Sequence, residues 1–279
     1  MQPVTARKMW RTLEPYHGLI YFAPEAAAAY EELGITGRDG YFASRAAPLG
    51  AVPAEVVIAT FFNFNPVLIR HAIPSAWMAA SPAQLVAARL HAADLALRRV
   101  LGDDVEGPLV ARAAELARLA AAACPPEGRV LFAGHASLEW PAPAHLALWH
   151  AISLLREFRG DGHLAALVDA GLRGIDALAF HAASGEVPRD VLQASRGWTD
   201  EAWDIAIAAL AARGLLEPGG GFTEAGAALR QQIEARTDVL ALAPWQALGE
   251  DGCDELRNLV RPWSKAIVAD GTFPTRAPR

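Results

Sequence analysis

One pattern occurs twice in this chain of 279 residues and constrains its fold more than any other feature. Residues 47–59 and residues 182–194 share the spacing Gly-x-Val-Pro-x-acid-Val, 135 positions apart. It begins at Gly50 in the first copy and at Gly185 in the second. Alanine matches are expected by chance in so alanine-rich a chain, but this pattern is not made of alanine. Because internal repeats fix an architecture, we predict one supersecondary plan used twice, a covalent pseudo-dimer.

Apolar residues recur at helical spacing along most of the chain. Ser81-Pro82 is a capping hydroxyl followed by proline, and it predicts a helix that ends at Gly102. Residues 143–158 predict a long helix that ends in a turn at residues 160–162, where Asp161 caps the next helix. The sequence therefore predicts a mainly α protein of two tandem winged-helix-like repeats.

The two repeats are predicted to occupy residues 1–125 and 135–279, with a loop-rich boundary between them. The first repeat has a degenerate wing, whereas the second is expected to carry a small β-hairpin wing. A chain of this length suits two modules of ordinary size.

Composition narrows the classes of function. No apolar run reaches the roughly 18 residues of a membrane helix, and no secretion signal follows the N-terminus, so we expect a cytoplasmic protein without a membrane partner. The net charge of −6 disfavours general affinity for nucleic acid. The two cysteines, Cys124 and Cys253, have no metal-site spacing.

The second repeat shows a recognisable local order. From residue 178 onward the chain is predicted to form a helix, a short helix, a turn, a helix, a two-stranded wing and a further helix that begins at Glu224, which is the order of a winged helix-turn-helix. Residues 211–216 and 222–226 resemble the wing region of MarR-type regulators. The whole chain, including residues 40–50 and 155–163, resembles an uncharacterised actinobacterial helix-turn-helix family with MarR-like members.

That resemblance implies a ligand-responsive transcriptional regulator, but the charges on the predicted recognition helix oppose DNA binding. Asp200, Glu201 and Asp204 stand where cations would contact phosphate, and the wing adds Glu217 without any lysine or arginine. We therefore predict that residues 199–213 do not bind DNA.

The densest polar cluster predicts a functional site in the second half. Arg156 and Arg159 are candidates for holding an anionic group, because the guanidinium fork suits a carboxylate or a phosphate. His163 is the candidate acid–base residue, oriented by Asp161. Trp149 shares a helical face with Arg156 and is expected to line the site. A solvated helix junction is the alternative interpretation.

The first half supplies further candidates that the repeat would bring to the same seam. His17, Tyr21 and Tyr41 are expected to line a pocket between the repeats. Arg45 lies in an apolar helix and needs a partner or a ligand if it is buried. His181 precedes the second copy of the pattern and completes the predicted set.

These candidates predict a small organic ligand, aromatic or anionic, bound between the repeats. The protein would then be an enzyme of secondary metabolism or a ligand sensor that has lost DNA contact, and a MarR-like regulator is the first alternative. Dispersed histidines such as His17, His163 and His181 leave haem or metal binding as a second alternative, although no metal motif is present. No cofactor is specified by the sequence, and assembly as a homodimer is compatible with it.

Overall fold

The computed structural model describes residues 1–273 of the protein. In this range the chain folds into α-helices and short 3₁₀ helices, so the prediction of a mainly α protein is confirmed. The α-helices are α1 Val4–Gly18, α2 Pro24–Glu31, α3 Arg38–Ala46, α4 Ala54–Phe61, α5 Pro66–Ala72, α6 Ser75–Ala79, α7 Pro82–Leu101, α8 Pro108–Ala122, α9 Val130–Ala136, α10 Ala144–Asp169, α11 Gly174–Ala182, α12 Arg189–Arg196, α13 Asp200–Ala212, α14 Glu224–Leu240 and α15 Ala243–Ala269. Among the described helices, none alone is long and apolar enough to cross a bilayer; the segments Arg38–Leu49 and Ala54–Phe61 pass that test only as a pair bent by 98°.

Two hydrophobic cores organise these helices. The larger core contains buried side chains of α1–α9, of the first four turns of α10, and of α15. The smaller core contains buried side chains from the end of α10, from α11, α12, α13 and α14, and from the segment between α13 and α14. Helix α10 therefore runs through both cores. The division into two repeats, with a boundary between residues 125 and 135, stays a prediction.

The helix α10 is longer than the sequence pattern predicts. It continues through Gly160, Asp161 and Gly162 to Asp169, so the predicted turn at residues 160–162 is wrong. Gly162 allows Arg129 and Leu240 to pack closely against α10, because a Cβ at position 162 would lie 3.2 Å from the Leu240 Cβ and would overlap the Arg129 guanidinium. One uninterrupted helix thus carries all the polar residues between positions 145 and 163.

The repeated pattern has a glycine of positive φ and an extended proline in both copies. Gly50 and Gly185 adopt left-handed φ values of 84° and 70°, which glycine reaches without steric cost. Pro53 and Pro188 follow in extended conformation, with ψ of 158° and 150°, and each directly precedes a helix of eight residues. The copies diverge afterwards, because α5 has seven residues whereas α13 has thirteen.

The predicted β-hairpin wing is absent, and the winged-helix description is wrong on this point. Leu216 and Phe222 form one isolated antiparallel bridge, and no residue in the described part of the chain belongs to a strand. The connection between them, Pro218 and three glycines, explains the difference, since proline donates no ladder hydrogen bond and glycine weakens a strand. The backbone then passes directly into α14, whose first turn is capped by the Thr223 side chain.

Candidate anion-binding site

A buried carboxylate on α10 is the centre of the most polar region of the larger core. Glu157 is fully buried and accepts hydrogen bonds from Arg45, with Nε–Oε1 and Nη2–Oε2 distances of 2.8 and 2.7 Å. Arg156 Nη1 donates to the same carboxylate at 3.0 Å. Burial raises the pKa of Glu157, but the guanidiniums of Arg156 and Arg45 outweigh it and hold that pKa well below its usual range. Glu157 is therefore an anion with two cationic partners.

Arg45 is held by aromatic side chains of its own half of the chain. Tyr41 precedes it by one helical turn, and Arg45 Nη1 donates to the Tyr41 hydroxyl at 3.0 Å. The guanidinium carbon also lies 4.6 Å from the Phe61 ring centroid, a cation–π contact. The structure thus gives the buried Arg45 a partner, as the sequence required.

A chain of hydrogen bonds runs from α10 through His17 to Tyr21. The Ser153 hydroxyl donates to the Trp149 carbonyl at 2.8 Å and so accepts from His17 Nδ1, which lies 2.8 Å away. His17 Nε2 then accepts from the Tyr21 hydroxyl at 2.8 Å. Burial lowers the pKa of His17 well below its usual value, and Arg156 and Arg89 lower it further. His17 is therefore a neutral acceptor for the Tyr21 proton.

A third arginine, Arg89 of α7, lies in the same region and was not among the predicted residues. Its side chain is buried, and its guanidinium carbon stands 5.2 Å from the Tyr21 ring centroid and 5.4 Å from that of Trp149. It falls on the apolar stripe of α7 that includes Leu85 and Ala92, which is the signal that could have identified it.

We call Arg45, Arg89, Arg156 and Glu157 the arginine cluster. The ring of Tyr21 joins its members, because the guanidinium carbon of Arg156 is also 5.9 Å from that ring centroid. Three guanidiniums face the ionised carboxylate of Glu157, so the cluster carries an excess of positive charge. Arg156 also pairs with Glu14, whose Oε1 lies 3.7 Å from the Arg156 Nε, so two carboxylates face the three guanidiniums and one guanidinium is left without a carboxylate. An anion is the ligand that such a cluster favours.

A crevice opens beside the arginine cluster, between α1, α10 and the start of α15. Trp10 and Trp245 form parts of its walls, and Arg156 and Arg159 lie along α10 on one side. The remaining lining residues are mostly apolar: Ala6, Leu13, Glu14, Ile152, Leu155 and Ala241. Arg156 is about a quarter exposed and reaches both the crevice and Glu157. The crevice is narrow, and its lining places apolar side chains next to the Arg156 cation.

The structure brings six of the ten predicted site residues into one region. They lie on elements from the N-terminal part and the middle of the sequence: His17, Tyr21, Tyr41, Arg45, Trp149 and Arg156. Arg159 points elsewhere and pairs with Asp238 at 2.9 Å, although it also lines the crevice. The anion-holding role predicted for Arg159 would therefore compete with an existing ion pair.

The predicted acid–base residues are not part of the arginine cluster. His163 Nδ1 lies 2.9 Å from Thr237 Oγ1, and burial lowers its pKa to about 4. Asp161 points towards α9, where it accepts from the Phe132 backbone N–H at 3.0 Å; burial raises its pKa to about 6. His181 Nδ1 lies 3.4 Å from Arg230 Nη2. His163 and His181 share Arg230 and Glu234 as charged neighbours, whereas Asp161 lies apart from them and caps α9 instead of orienting His163.

Buried histidines elsewhere are also held in the neutral form. Burial lowers the pKa of His135 to about 3 and that of His150 to about 4. Within the described part of the chain, no three histidine, cysteine or carboxylate side chains are grouped so that they could hold a metal ion.

The exposed face of the predicted recognition helix, α13, is acidic and apolar. Asp200, Glu201 and Asp204 are exposed, and Ile205 is 60% exposed. Arg189 of α12 is the cation beside them, with Nη2 3.1 and 2.8 Å from Asp200 and Asp204. This face offers phosphate no unpaired cation among its described residues.

The turn between α12 and α13 is docked on the first half of the chain. The Asn65 side chain donates to the Gly197 carbonyl at 2.8 Å, and Trp198 Nε1 donates to the Asn63 carbonyl at 2.9 Å. The segment from Phe61 to Asn65 therefore contacts Arg45 on one side and the helix-turn-helix on the other.

Comparison with known families agrees with this architecture. A model described as a helix-turn-helix family matches residues 6–274, nearly the whole chain. The chain belongs to this helix-turn-helix family. Comparison with curated proteins and with solved structures gave no significant match. Family membership indicates a fold of the DNA-binding type, but fold alone does not assign a ligand or a reaction.

Proposed function

We propose that this helix-turn-helix protein binds a small organic anion at the arginine cluster and responds to it as a ligand sensor. The observation that carries the proposal is the charge imbalance of three guanidiniums, two of them buried, against the two carboxylates of Glu157 and Glu14. Uncompensated charge in a protein interior is strongly unfavourable, and a bound anion removes that cost.

The crevice supports an aromatic or otherwise apolar body for the ligand. Its walls include Trp10, Trp245 and aliphatic side chains, and Arg156 stands between it and Glu157. Pockets that are mostly apolar with one or two placed charges are typical of sites for small organic molecules.

A sensor is favoured because the site is in contact with the helix-turn-helix. Arg45 stacks on Phe61, and the segment that follows Phe61 hydrogen-bonds the turn at Gly197 and Trp198. A ligand that moves Arg45 would change this contact. The MarR-type resemblance in the sequence supports the same interpretation, since it implies ligand-responsive regulators.

Direct reading of DNA by α13 is not part of the proposal. The exposed carboxylates of Asp200, Glu201 and Asp204 oppose insertion next to phosphate. In an electrophoretic mobility shift at low salt, we expect no sequence-dependent complex that is lost when exposed residues of α13 are changed. A tight specific complex that depends on α13 would overturn this part.

An enzyme is the second candidate, favoured by the hydrogen-bonded chain from Tyr21 through His17 to Ser153. A neutral histidine that accepts a hydrogen bond from a phenol hydroxyl is an arrangement found in general acid–base catalysis. Incubation with a bound compound separates the two candidates, because turnover marks an enzyme and unchanged ligand marks a sensor.

A thermal-shift and calorimetric panel tests anion binding. Benzoate is compared with benzamide, its neutral isostere, in Tris chloride buffer without other carboxylates. We expect benzoate and not benzamide to raise the melting temperature, and Arg156→Met to weaken benzoate binding by about 2 kcal/mol. Arg112→Met is the matched control, since Arg112 forms an exposed ion pair with Glu255. Equal response to both compounds, or no response to any carboxylate, would refute the proposal.

A further inference from the structure

Arg89 differs from the other two guanidiniums of the arginine cluster because it has no carboxylate. Its side chain is 3% exposed, and no acceptor among the described residues lies within hydrogen-bond distance of its Nε or Nη1. Only Nη2 has a partner, the Tyr21 hydroxyl at 3.4 Å, which is long for a hydrogen bond. Arg45 and Arg156, by contrast, both bind Glu157.

An arginine in this position keeps its charge. Guanidinium does not deprotonate in proteins, so the buried cation with unpaired N–H groups demands an acceptor. The titratable groups around it do not supply an additional anion. His17 is neutral, and Tyr21 keeps its phenol proton because burial raises its pKa.

The surroundings of Arg89 restrict the shape and charge of that acceptor. The rings of Tyr21 and Trp149 lie near the guanidinium, and the atoms left without a partner are Nε and Nη1 at its edge. A planar carboxylate fits the edge of a guanidinium, in the plane of its N–H bonds. One unmatched positive charge is balanced by one monoanion, whereas a phosphate dianion would add a second negative charge next to Glu157.

We propose that Arg89 anchors the single carboxylate group of a monocarboxylic acid, at the inner end of the site beside Tyr21. This inference rests on the proposed function and makes it specific, since it names the anchoring residue and the class of ligand.

The test combines side-chain NMR of the whole chain with two variants. Arginine ¹⁵Nε–¹H spectra are recorded during titration with benzoate and, separately, with inorganic phosphate, and the Arg89 resonance is assigned by its loss in Arg89→Lys. We expect benzoate to shift the Arg89 Nε–H resonance downfield in the wild-type chain and phosphate to leave it in place. Arg89→Met is expected to bind benzoate at least thirtyfold more weakly and to melt at a higher temperature without ligand, because an unpaired buried charge has been removed.

The outcomes separate this inference from the proposed function. If benzoate binds Arg89→Met as tightly as wild type, or leaves the Arg89 resonance in place, the anchor is wrong while anion binding stands. If phosphate shifts that resonance and binds more tightly than benzoate, the carboxylate assignment is wrong. If benzoate does not bind the wild-type chain, the proposed function itself is refuted. Should Arg89→Met not fold, the wild-type titration and Arg89→Lys still decide the question.

Discussion

Replacing Glu157 with alanine removes the carboxylate on which the arginine cluster depends. The carboxylate accepts three charge-assisted hydrogen bonds, of 2.7, 2.8 and 3.0 Å, from Arg45 and Arg156. At about 1.5 kcal/mol each, the low end for bonds to charged groups, these bonds reach about 4.5 kcal/mol. Breaking a buried ion pair by removing one partner costs about 3–5 kcal/mol by independent reasoning. We therefore expect Glu157→Ala to lower the free energy of unfolding by about 4 kcal/mol.

Urea unfolding followed by tryptophan fluorescence measures this loss. The matched control is Glu255→Ala, since Glu255 pairs with Arg112 in the same two-pronged geometry, at 2.8 and 2.9 Å, but at the surface. Exposed pairs contribute little, and the control is expected to unfold with wild-type protein. Glu157→Gln keeps the shape without the charge and should fall between the two. If Glu157→Ala unfolds at the wild-type midpoint, or if the control loses as much, the reasoning about buried charge is wrong.

The remaining predictions concern the pH dependence of stability and the packing of α11 against the segment after α4. Below pH 6.5 the unfolded chain protonates histidines that the folded chain keeps neutral, so the free energy of unfolding should fall as the pH drops from 6.5 to about 4; calorimetry in this range would show it. Asp161 acts in the opposite sense, because its raised pKa lets the folded chain bind a proton between about pH 6 and 4. Four histidines whose pKa burial lowers, His17, His135, His150 and His163, outweigh it, and the net of about three protons gives about 4 kcal/mol per pH unit; stability independent of pH would contradict this. Gly174→Ala should destabilise the contact between α11 and the segment after α4, because a Cβ would lie 2.0 Å from the Phe62 carbonyl oxygen, whereas Gly219→Ala has open space and should be neutral in thermal unfolding.

The sequence allowed much of the local structure to be predicted, because local signals are strong in this chain. The Ser81-Pro82 pair does begin α7, with a capping box between Ser81 and Gln84. The repeated pattern marks two glycines with positive φ, Gly50 and Gly185. These features depend on residues within one or two turns of each other, which a sequence shows directly.

The structure separates two of the predicted site residues from the arginine cluster because positions along α10 diverge in space. His163 lies seven residues beyond Arg156, about 10 Å further along the helix axis, where α14 packs against it. Asp161 is five residues from Arg156 and projects about 140° away around the axis. The prediction placed His163 and Asp161 beside Arg156 because it took Gly160 and Gly162 to form a turn, whereas α10 continues through them. In the structure Gly162 is where Arg129 and Leu240 approach α10, a tertiary contact that spacing does not reveal.

Arg89 was missed for a related reason. An arginine on an exposed helical face is common, and its burial depends on how α7 packs against Tyr21 and Trp149, which come from elsewhere in the sequence. Only its place on the apolar stripe beside Leu85 distinguished it from other arginines.

Native mass spectrometry of freshly purified protein tests most directly whether the arginine cluster holds an organic anion. We expect the wild-type chain to carry a small adduct that collisional activation releases as an organic acid. Arg156→Met, purified in parallel, should carry less of it, and the control Arg112→Met should carry as much as wild type. A wild-type spectrum with only the mass of the chain, together with no adduct after addition of carboxylates, would contradict anion binding.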